Sequence, residues 1–277
     1  MSGKMSLQSL ESEISAYSSS DKLPILFIGH GHPMNALADN QFTRQLNRIG
    51  SGIDKPNAIM VISAHWETKG TFVSVNPSPK NIYDFGNFDP RLFQIKYEPK
   101  GHPILANEAI TMGKNYDLKP DPYIGLDHGA WTVLTHLFPA AEIPVFQISL
   151  DYTKPPAYHY QLAQQLKALR RKGVLIIGSG NIVHNLGILD WKNIDATPFD
   201  WAVNFDELVK EKLIKRDDNS LINYHQFGKL SEIAIPSNDH YLPMIYTLGL
   251  SDTNEHVSFI YEGIQYGSIS MRCFQIS

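Results

Sequence analysis

The stretch Leu23–Gly29 (LPILFIG), followed at once by His30-Gly31-His32-Pro33, decides how this chain folds. A short apolar run that gives way to glycine, histidine and proline is typical of a buried strand that ends in a loop. Three more runs of this kind occur further along the chain, and each ends in polar or turn-forming residues. They are Ala58–Ala64 (AIMVISA), Pro144–Ser149 (PVFQIS) and Val174–Gly178 (VLIIG).

Segments with apolar residues at helical spacing separate these runs, as in Pro155–Lys172, where leucines recur every three or four residues. The alternation predicts an α/β fold: a single three-layer domain with a central mixed, largely parallel sheet flanked by helices. The other predicted helices are Asp39–Ile49, Pro103–Asn115, Thr132–Leu137, Asp200–Lys215 and a segment from Asn238 to Leu248. The other predicted strands are Thr71–Val75, Phe259–Glu262 and Ser268–Phe274.

The length and composition fit one globular domain. The chain has 277 residues, of which 43% are hydrophobic and 19% charged, so it can bury a core without disulfide support. Residues 1–21 are polar and rich in serine, and they lack the apolar region of a secretory signal. We therefore expect residues 1–21 to be an N-terminal leader and residues 22–277 to be a single domain.

Charge and cysteine content exclude several classes of protein. The formal net charge is −4 without a basic stripe, so we expect no nucleic-acid partner. No stretch approaches the ~18 consecutive apolar residues of a membrane helix, so we expect no membrane span. Cys273 is the single cysteine, which rules out an internal disulfide and a zinc site built from several thiolates. A lone cysteine also fits a reducing, cytoplasmic location.

Histidines follow three of the predicted core strands. His30 and His65 come directly after their strands, and His184 comes a few residues after Gly178. Because the carboxyl ends of parallel strands meet at one edge of a sheet, we expect these imidazoles to lie close together. His128, in an Asp-His-Gly turn, and His240, at the predicted start of a helix, are further candidates.

Imidazole suits zinc, iron, copper and nickel, and ligands on loops leave coordination positions open for a reaction. The pattern alone also allows a surface or hydrogen-bonding role for each histidine. Five others lack a comparable setting and receive no role, and we expect His159 and His225 to be solvated. These five are His102, His136, His159, His225 and His256.

Seven sequence pieces, in order along the chain, resemble the class III extradiol ring-cleavage dioxygenases, in particular the DODA-type (DOPA 4,5-dioxygenase) branch. The first contains Gly-His-Gly-His-Pro-Met-Asn, and the second is Ile-Ser-Ala-His-Trp-Glu. One such piece would be a weak signal, whereas seven in order are highly specific. The pieces are 27–35, 62–67, 82–85 with 97–103, 126–131, 178–186, 238–243 and 266–272.

The resemblance implies that residues 22–277 form a catalytic extradiol dioxygenase domain with one divalent metal per chain. By position in the matching pieces, His30, His65 and His240 would bind that metal. His184 would be either a further ligand or an acid–base group, and His128 would be the catalytic histidine. Fe(II) is expected for activity. Because the ligand set is all histidine, the usual facial-triad argument for ferrous iron is weaker, and Zn(II) is a real possibility in an isolated sample.

The resemblance further implies that the enzyme cleaves the ring of a catechol-type, DOPA-like aromatic with O2 and yields a muconic semialdehyde. His128 would take a proton from the catechol. A zinc-dependent hydrolase, with Asp239 or Glu67 as base, and a non-catalytic metal-binding module remain alternatives at this stage.

Two further features bear on the substrate. His32 stands where the family usually has serine. It could be a substrate contact, a stray ligand or a residue without a role, and we favour no direct metal role for it. The long loop predicted at Asn76–Gly101 is rich in aromatic residues. They form either a hydrophobic wall against the substrate ring or simple loop packing. These residues are Tyr83, Phe85, Phe88 and Phe93.

Overall fold

The four apolar runs form the middle of one sheet in the computed structural model, which describes residues 22–86 and 88–277. The predicted leader therefore lies outside the described residues. The strands are β1 (Ile25–Gly29), β2 (Ala58–Thr68), β3 (Phe72–Ser74), β4 (Lys119–Asp121), β5 (Val145–Asp151), β6 (Val174–Gly180), β7 (Val257–Tyr261), β8 (Ile264–Gln265), β9 (Ile269–Ser270) and β10 (Cys273–Ile276).

Eight strands make up the main sheet, in the order β4-β3-β5-β2-β6-β1-β10-β7, and β8 pairs with β9 in a separate hairpin. Strands β5, β2, β6 and β1 run parallel to their neighbours in this group, whereas β10 and β7 add antiparallel pairs at one side. The parallel strands are buried on both faces, which explains why they appear in the sequence as continuous apolar runs.

Helices cover both faces of the sheet. One face packs on α1 (Gln41–Gly52) and α3 (His128–Leu137). The other face packs on α2 (Pro103–Met112), α4 (Pro156–Gln165), α5 (Asp200–Lys215) and α8 (Leu242–Leu250), with the short helices α6 (Asp218–Ile222) and α7 (Lys229–Ala234) nearby. The predicted three-layer α/β architecture with a mixed, largely parallel sheet is therefore confirmed.

Several predicted boundaries are wrong. Strand β2 does not end at Ala64 but continues through the next four residues. Helix α3 begins at His128 rather than Thr132, because the Asp127 side chain accepts a hydrogen bond from the Ala130 amide and caps the helix there. The predicted helix Pro155–Lys172 is divided into α4 and a 3-10 helix, and β4, α6 and α7 were not predicted.

The topology brings the carboxyl ends of β1, β2 and β6 to adjacent positions, since β6 pairs with both other strands. Next to them, the register of β2 against β5 shifts between Ile62 and Glu67. Such bulges redirect side chains and are common beside active sites. Within residues 22–86 and 88–277, no helix is both long and apolar enough to cross a bilayer.

Candidate metal centre

His30 follows the last residue of β1, and its hydrogen bonds fix which nitrogen faces the neighbouring histidines. Its Nδ1 lies 3.0 Å from the Ser179 Oγ. That hydroxyl donates its proton to the Gly129 carbonyl at 2.6 Å, so it can only accept from His30. We therefore assign the proton to Nδ1, which leaves Nε2 with a free lone pair.

His65 meets His30 from the irregular part of β2. The two Nε2 atoms lie 3.1 Å apart. Burial, followed by the neighbouring imidazoles, holds the pKa of both rings well below 6.5, so both are neutral. With metal–nitrogen bonds of about 2.0–2.1 Å, two ligands of one ion lie roughly 3 Å from each other, which matches this separation.

His240 lies in the turn before α8 and not within the helix. Its Nδ1 donates to the Asp239 carboxylate at 2.9 Å, while its Nε2 is buried without a hydrogen-bond partner. The His240 ring centroid is 5.3 Å from that of His30 and 4.8 Å from that of His65. The turn packs closely on β6, where a Cβ at Gly180 would clash with the His240 carbonyl oxygen.

His128 is the first residue of α3, and the Asp84 carboxylate contacts it at two points, the backbone amide and the ring. One carboxylate oxygen accepts the His128 backbone amide and the other lies against Nδ1, each at 2.9 Å. The ring centroid is 3.8 Å from that of His65. One nitrogen from each of His30, His65 and His128 lies within 4.8 Å of the other two, so His128 is as close to the centre as the expected ligands.

His184 stacks flat on His240, with ring centroids 3.5 Å apart and an angle of 9° between the planes. The lone pair of an imidazole nitrogen lies in the plane of its ring. Two parallel rings at this spacing therefore cannot direct their lone pairs at one ion. Burial, and next the neighbouring His240, lowers the pKa of His184 to about 2.

These five residues, His30, His65, His128, His184 and His240, are called the histidine cluster below. They line a cavity of about 710 Å³. The structure thus brings all five sequence-predicted site histidines together. The rest of the cavity lining includes apolar and aromatic residues, namely Phe85, Phe88, Leu186, Trp191 and Ile269.

The aromatic loop has a divided role. Phe85 and Phe88 line the cavity, whereas Tyr83 and Phe93 pack behind Phe85, with ring centroids 6.2 and 5.3 Å from it. Phe85 and Phe88 therefore lie where a ligand in the cavity could contact them, whereas the contacts of Tyr83 and Phe93 fit simple loop packing; the wall against the substrate ring stays a prediction.

His32 also lines the cavity but stands apart from the cluster. Its Nδ1 accepts the Met34 amide at 3.1 Å, and its ring lies against Phe88 at 4.5 Å. Burial, followed by His128, lowers its pKa to about 4, so the ring is neutral. These contacts hold the His32 ring in the wall of the cavity.

Three orienting residues complete the site, namely Asp84, Ser179 and Asp239. All three lie within the sequence pieces that resemble the family, but no role was predicted for Asp84 or Ser179. The expectation for His159 is wrong, because this residue is fully buried beside Tyr246 where α4 packs on α8.

The donor set fits a divalent metal. The Nδ1 atoms of His30, His128 and His240 each have an oxygen partner, which leaves Nε2 of each ring available. Metal-binding histidines usually donate their second nitrogen to such a partner, which fixes the tautomer. The buried, unpaired Nε2 of His240 is the atom that most requires a ligand.

Comparisons with known proteins show the family of this chain. A family model described as the catalytic LigB subunit of aromatic ring-opening dioxygenase matches residues 26–271. The chain is 41% identical to the 4,5-DOPA dioxygenase extradiol of Escherichia coli (strain K12) over 269 residues, which cover 93% of this chain and 96% of that protein. It is 34% identical to the protein of the same name from Beta vulgaris, covering 91% and 95%.

A solved structure shows the same likeness in three dimensions. The crystal structure of an uncharacterized protein from Escherichia coli K12 superposes with a TM-score of 0.80 at 37% identity, covering 92% of this chain and all of that chain. Sequence and fold therefore confirm the resemblance and the expected class of enzyme. The chain belongs to the family of the catalytic LigB subunit of aromatic ring-opening dioxygenases, as an extradiol ring-cleavage dioxygenase of the DODA type.

Proposed function

We propose that this enzyme cleaves the ring of a catechol-type, DOPA-like aromatic with O2 to give a muconic semialdehyde, using one divalent metal held by His30, His65 and His240. The observation that carries the proposal is the convergence of neutral imidazoles at one end of an aromatic-walled cavity. The name shared by the two curated relatives supports the choice of substrate class.

The bound metal, Fe(II) for activity, would supply Lewis acidity and electron transfer between the diol and O2. The protein's own contribution is to hold the ion with neutral ligands, since the depressed pKa values of His30 and His65 keep both lone pairs available at neutral pH. The cavity then places the substrate ring between the histidine cluster and the aromatic wall, which supplies proximity and excludes water.

His128 is the proposed general base. Asp84 accepts the proton of Nδ1, so Nε2 is the nitrogen left to take a proton from a substrate hydroxyl. This arrangement, a histidine whose far nitrogen is held by a carboxylate, fixes both the tautomer and the direction of the ring. Asp84 is then a positioning residue, because it acts through His128.

His184 is the proposed acid–base group beside His240 in the cavity. Its flat stacking on His240 supports this role over that of a further ligand. Among the described residues, its ring has no hydrogen-bonding partner that would hold it in one tautomer. A neutral imidazole in this position can donate or accept a proton at the cavity surface.

The direct test is anaerobic reconstitution with Fe(II), followed by a catechol and then air, with O2 uptake and the yellow ring-opened product as readouts. DOPA, dihydroxyphenylacetate, caffeate and protocatechuate form a suitable panel. We expect O2 uptake with at least one of them. If all four fail with metal-loaded protein, the proposed function is wrong.

The His128→Ala variant tests the division of roles. It should lower turnover by about 10²–10⁴-fold, the usual contribution of a positioned general base, while the metal content stays at one per chain. His65→Ala is the matched variant and should lose the metal itself. Metal loss in His128→Ala would show that His128 is a ligand, in line with its short distances to His30 and His65.

A further inference from the structure

The charged groups of the cavity all have the same sign. Its described lining residues include two carboxylates, Glu67 and Asp239, and no lysine or arginine. A substrate whose tail carries a carboxylate would therefore meet like charge and no cation, which disfavours binding. A substrate whose tail carries an ammonium would meet opposite charge.

The two carboxylates are not equivalent. Asp239 is engaged, because His240 donates to one of its oxygens at 2.9 Å and Ser237 donates to the other at 2.7 Å. Glu67 has no hydrogen bond or ion pair with any residue in the described part of the chain. Its carboxylate is exposed at the rim of the cavity and available to a ligand.

Glu67 is also placed at a suitable distance from the metal centre. It follows His65 by two residues on β2, and both side chains line the cavity, while Trp66 between them is buried. Two residues of strand span about 6.6 Å, comparable to the reach from a catechol's diol across its ring to a short tail. Glu67 therefore lies within reach of the tail of a catechol whose diol is held at the histidine cluster.

Resting on the proposed function, we propose that Glu67 is a specificity-determining residue that selects catechols with an aliphatic ammonium tail over those with a carboxylate tail. The contact is an ion pair at an exposed rim, so its contribution is modest. Exposed ion pairs are worth up to about 1 kcal/mol, which corresponds to roughly fivefold in affinity. Because the pair is exposed, its contribution should shrink as the salt concentration rises.

The test compares three catechols that share the ring and differ at the tail: 4-(2-aminoethyl)catechol, 4-ethylcatechol and 3-(3,4-dihydroxyphenyl)propionate. Binding to Zn(II)-loaded protein is measured by calorimetry under anaerobic conditions. We expect the amine to bind about fivefold more tightly than the neutral catechol, and the carboxylate to bind most weakly. In Glu67→Gln, the ratio of amine to neutral affinity should fall to about one.

Glu211→Gln is the matched control, because it removes the same charge from an exposed glutamate on α5 that does not line the cavity. Glu211→Gln should keep the parental ratio of amine to neutral affinity. In the parent protein, this ratio should fall at 0.5 M NaCl. An unchanged ratio in Glu67→Gln, or an equal loss for all three catechols, overturns the proposal. Ring cleavage of 4-ethylcatechol by the Fe(II) enzyme tests the proposed function separately. If no cleavage occurs, the binding ratios can still be interpreted.

Discussion

Two polar clusters in this molecule differ in the groups they bring together: one pairs opposite charges, and the other places imidazole rings side by side. The Arg272 cluster consists of Arg272, Asp206, Glu207 and Glu262, with Arg272 and Asp206 only 1% and 4% exposed. Its charges are opposite, and the second oxygen of Asp206 accepts from the Ser270 hydroxyl at 2.6 Å. In the histidine cluster, His30, His128 and His240 are buried to a similar degree, but like groups come together, and Nε2 of His30 faces Nε2 of His65.

The difference shows which cluster serves the fold. A buried polar group without a partner costs free energy, so a cluster of facing, unpaired nitrogens opposes folding of the metal-free chain. In the Arg272 cluster each buried charge already has its partner, and nothing further is required there. The histidine cluster is complete only when a ligand shares its lone pairs, which is the property expected of a functional site.

Arg272→Met gives the largest expected effect on stability. Removing the guanidinium leaves Asp206 buried with a hydroxyl as its remaining partner, so the free energy of unfolding should fall by about 3–5 kcal/mol. Urea unfolding measures this change, and the metal content of the folded fraction should stay unchanged. The double variant Arg272→Met/Asp206→Leu should recover most of the loss. A single variant as stable as the parent would contradict the comparison.

Asp84→Asn is next in size and concerns the contact between His128 of the histidine cluster and the Asp84 carboxylate. The amide can donate to Nδ1, which would move the proton of His128 to Nε2 and remove its capacity as a base. We expect kcat to fall by about 10²-fold at unchanged metal content. Because both residues act as one unit, adding Asp84→Asn to His128→Ala should change little further. Additive losses would indicate separate roles.

Much of this arrangement could be predicted from the sequence, since it depends on local patterns. The apolar runs predicted the parallel strands, and the ends of those strands predicted that His30 and His65 would meet. His240 follows no core strand, so the sequence pattern made it only a further candidate, and the resemblance to the family made it an expected ligand. The fold and the family are confirmed, whereas the roles of the individual histidines stay predictions.

The remaining features depend on contacts between distant residues. Asp84 reaches His128 across 44 residues and Ser179 reaches His30 across 149, and no local pattern encodes either pair. The register shift in β2 that positions His65 is likewise set by the pairing with β5. His159 was expected to be solvated, yet it is fully buried where α4 packs on α8.

The pH dependence of the metal-free protein gives the smallest expected effect and tests the cost of the histidine cluster directly. The pKa of His30 is held well below 6.5 in the folded state, whereas the unfolded chain takes up a proton near 6.5. Below that pH the unfolded state binds more protons, so stability falls as the pH falls. Between pH 7.5 and pH 5.5, this single residue should lower the free energy of unfolding by about 1.4 kcal/mol.

Over the same pH interval, the free energy of unfolding of His30→Ala should therefore fall by about 1.4 kcal/mol less than that of the parent protein. Urea unfolding after chelation of metals measures both. Any change in packing caused by the substitution acts at both pH values and cancels in the difference. His225→Ala, at an exposed position outside the cluster, is the matched control and should leave the parental difference in place. If the free energy of unfolding falls equally in His30→Ala and the parent on acidification, His30 is not held neutral in the folded state. The histidine cluster then carries no free-energy cost that a bound metal would relieve.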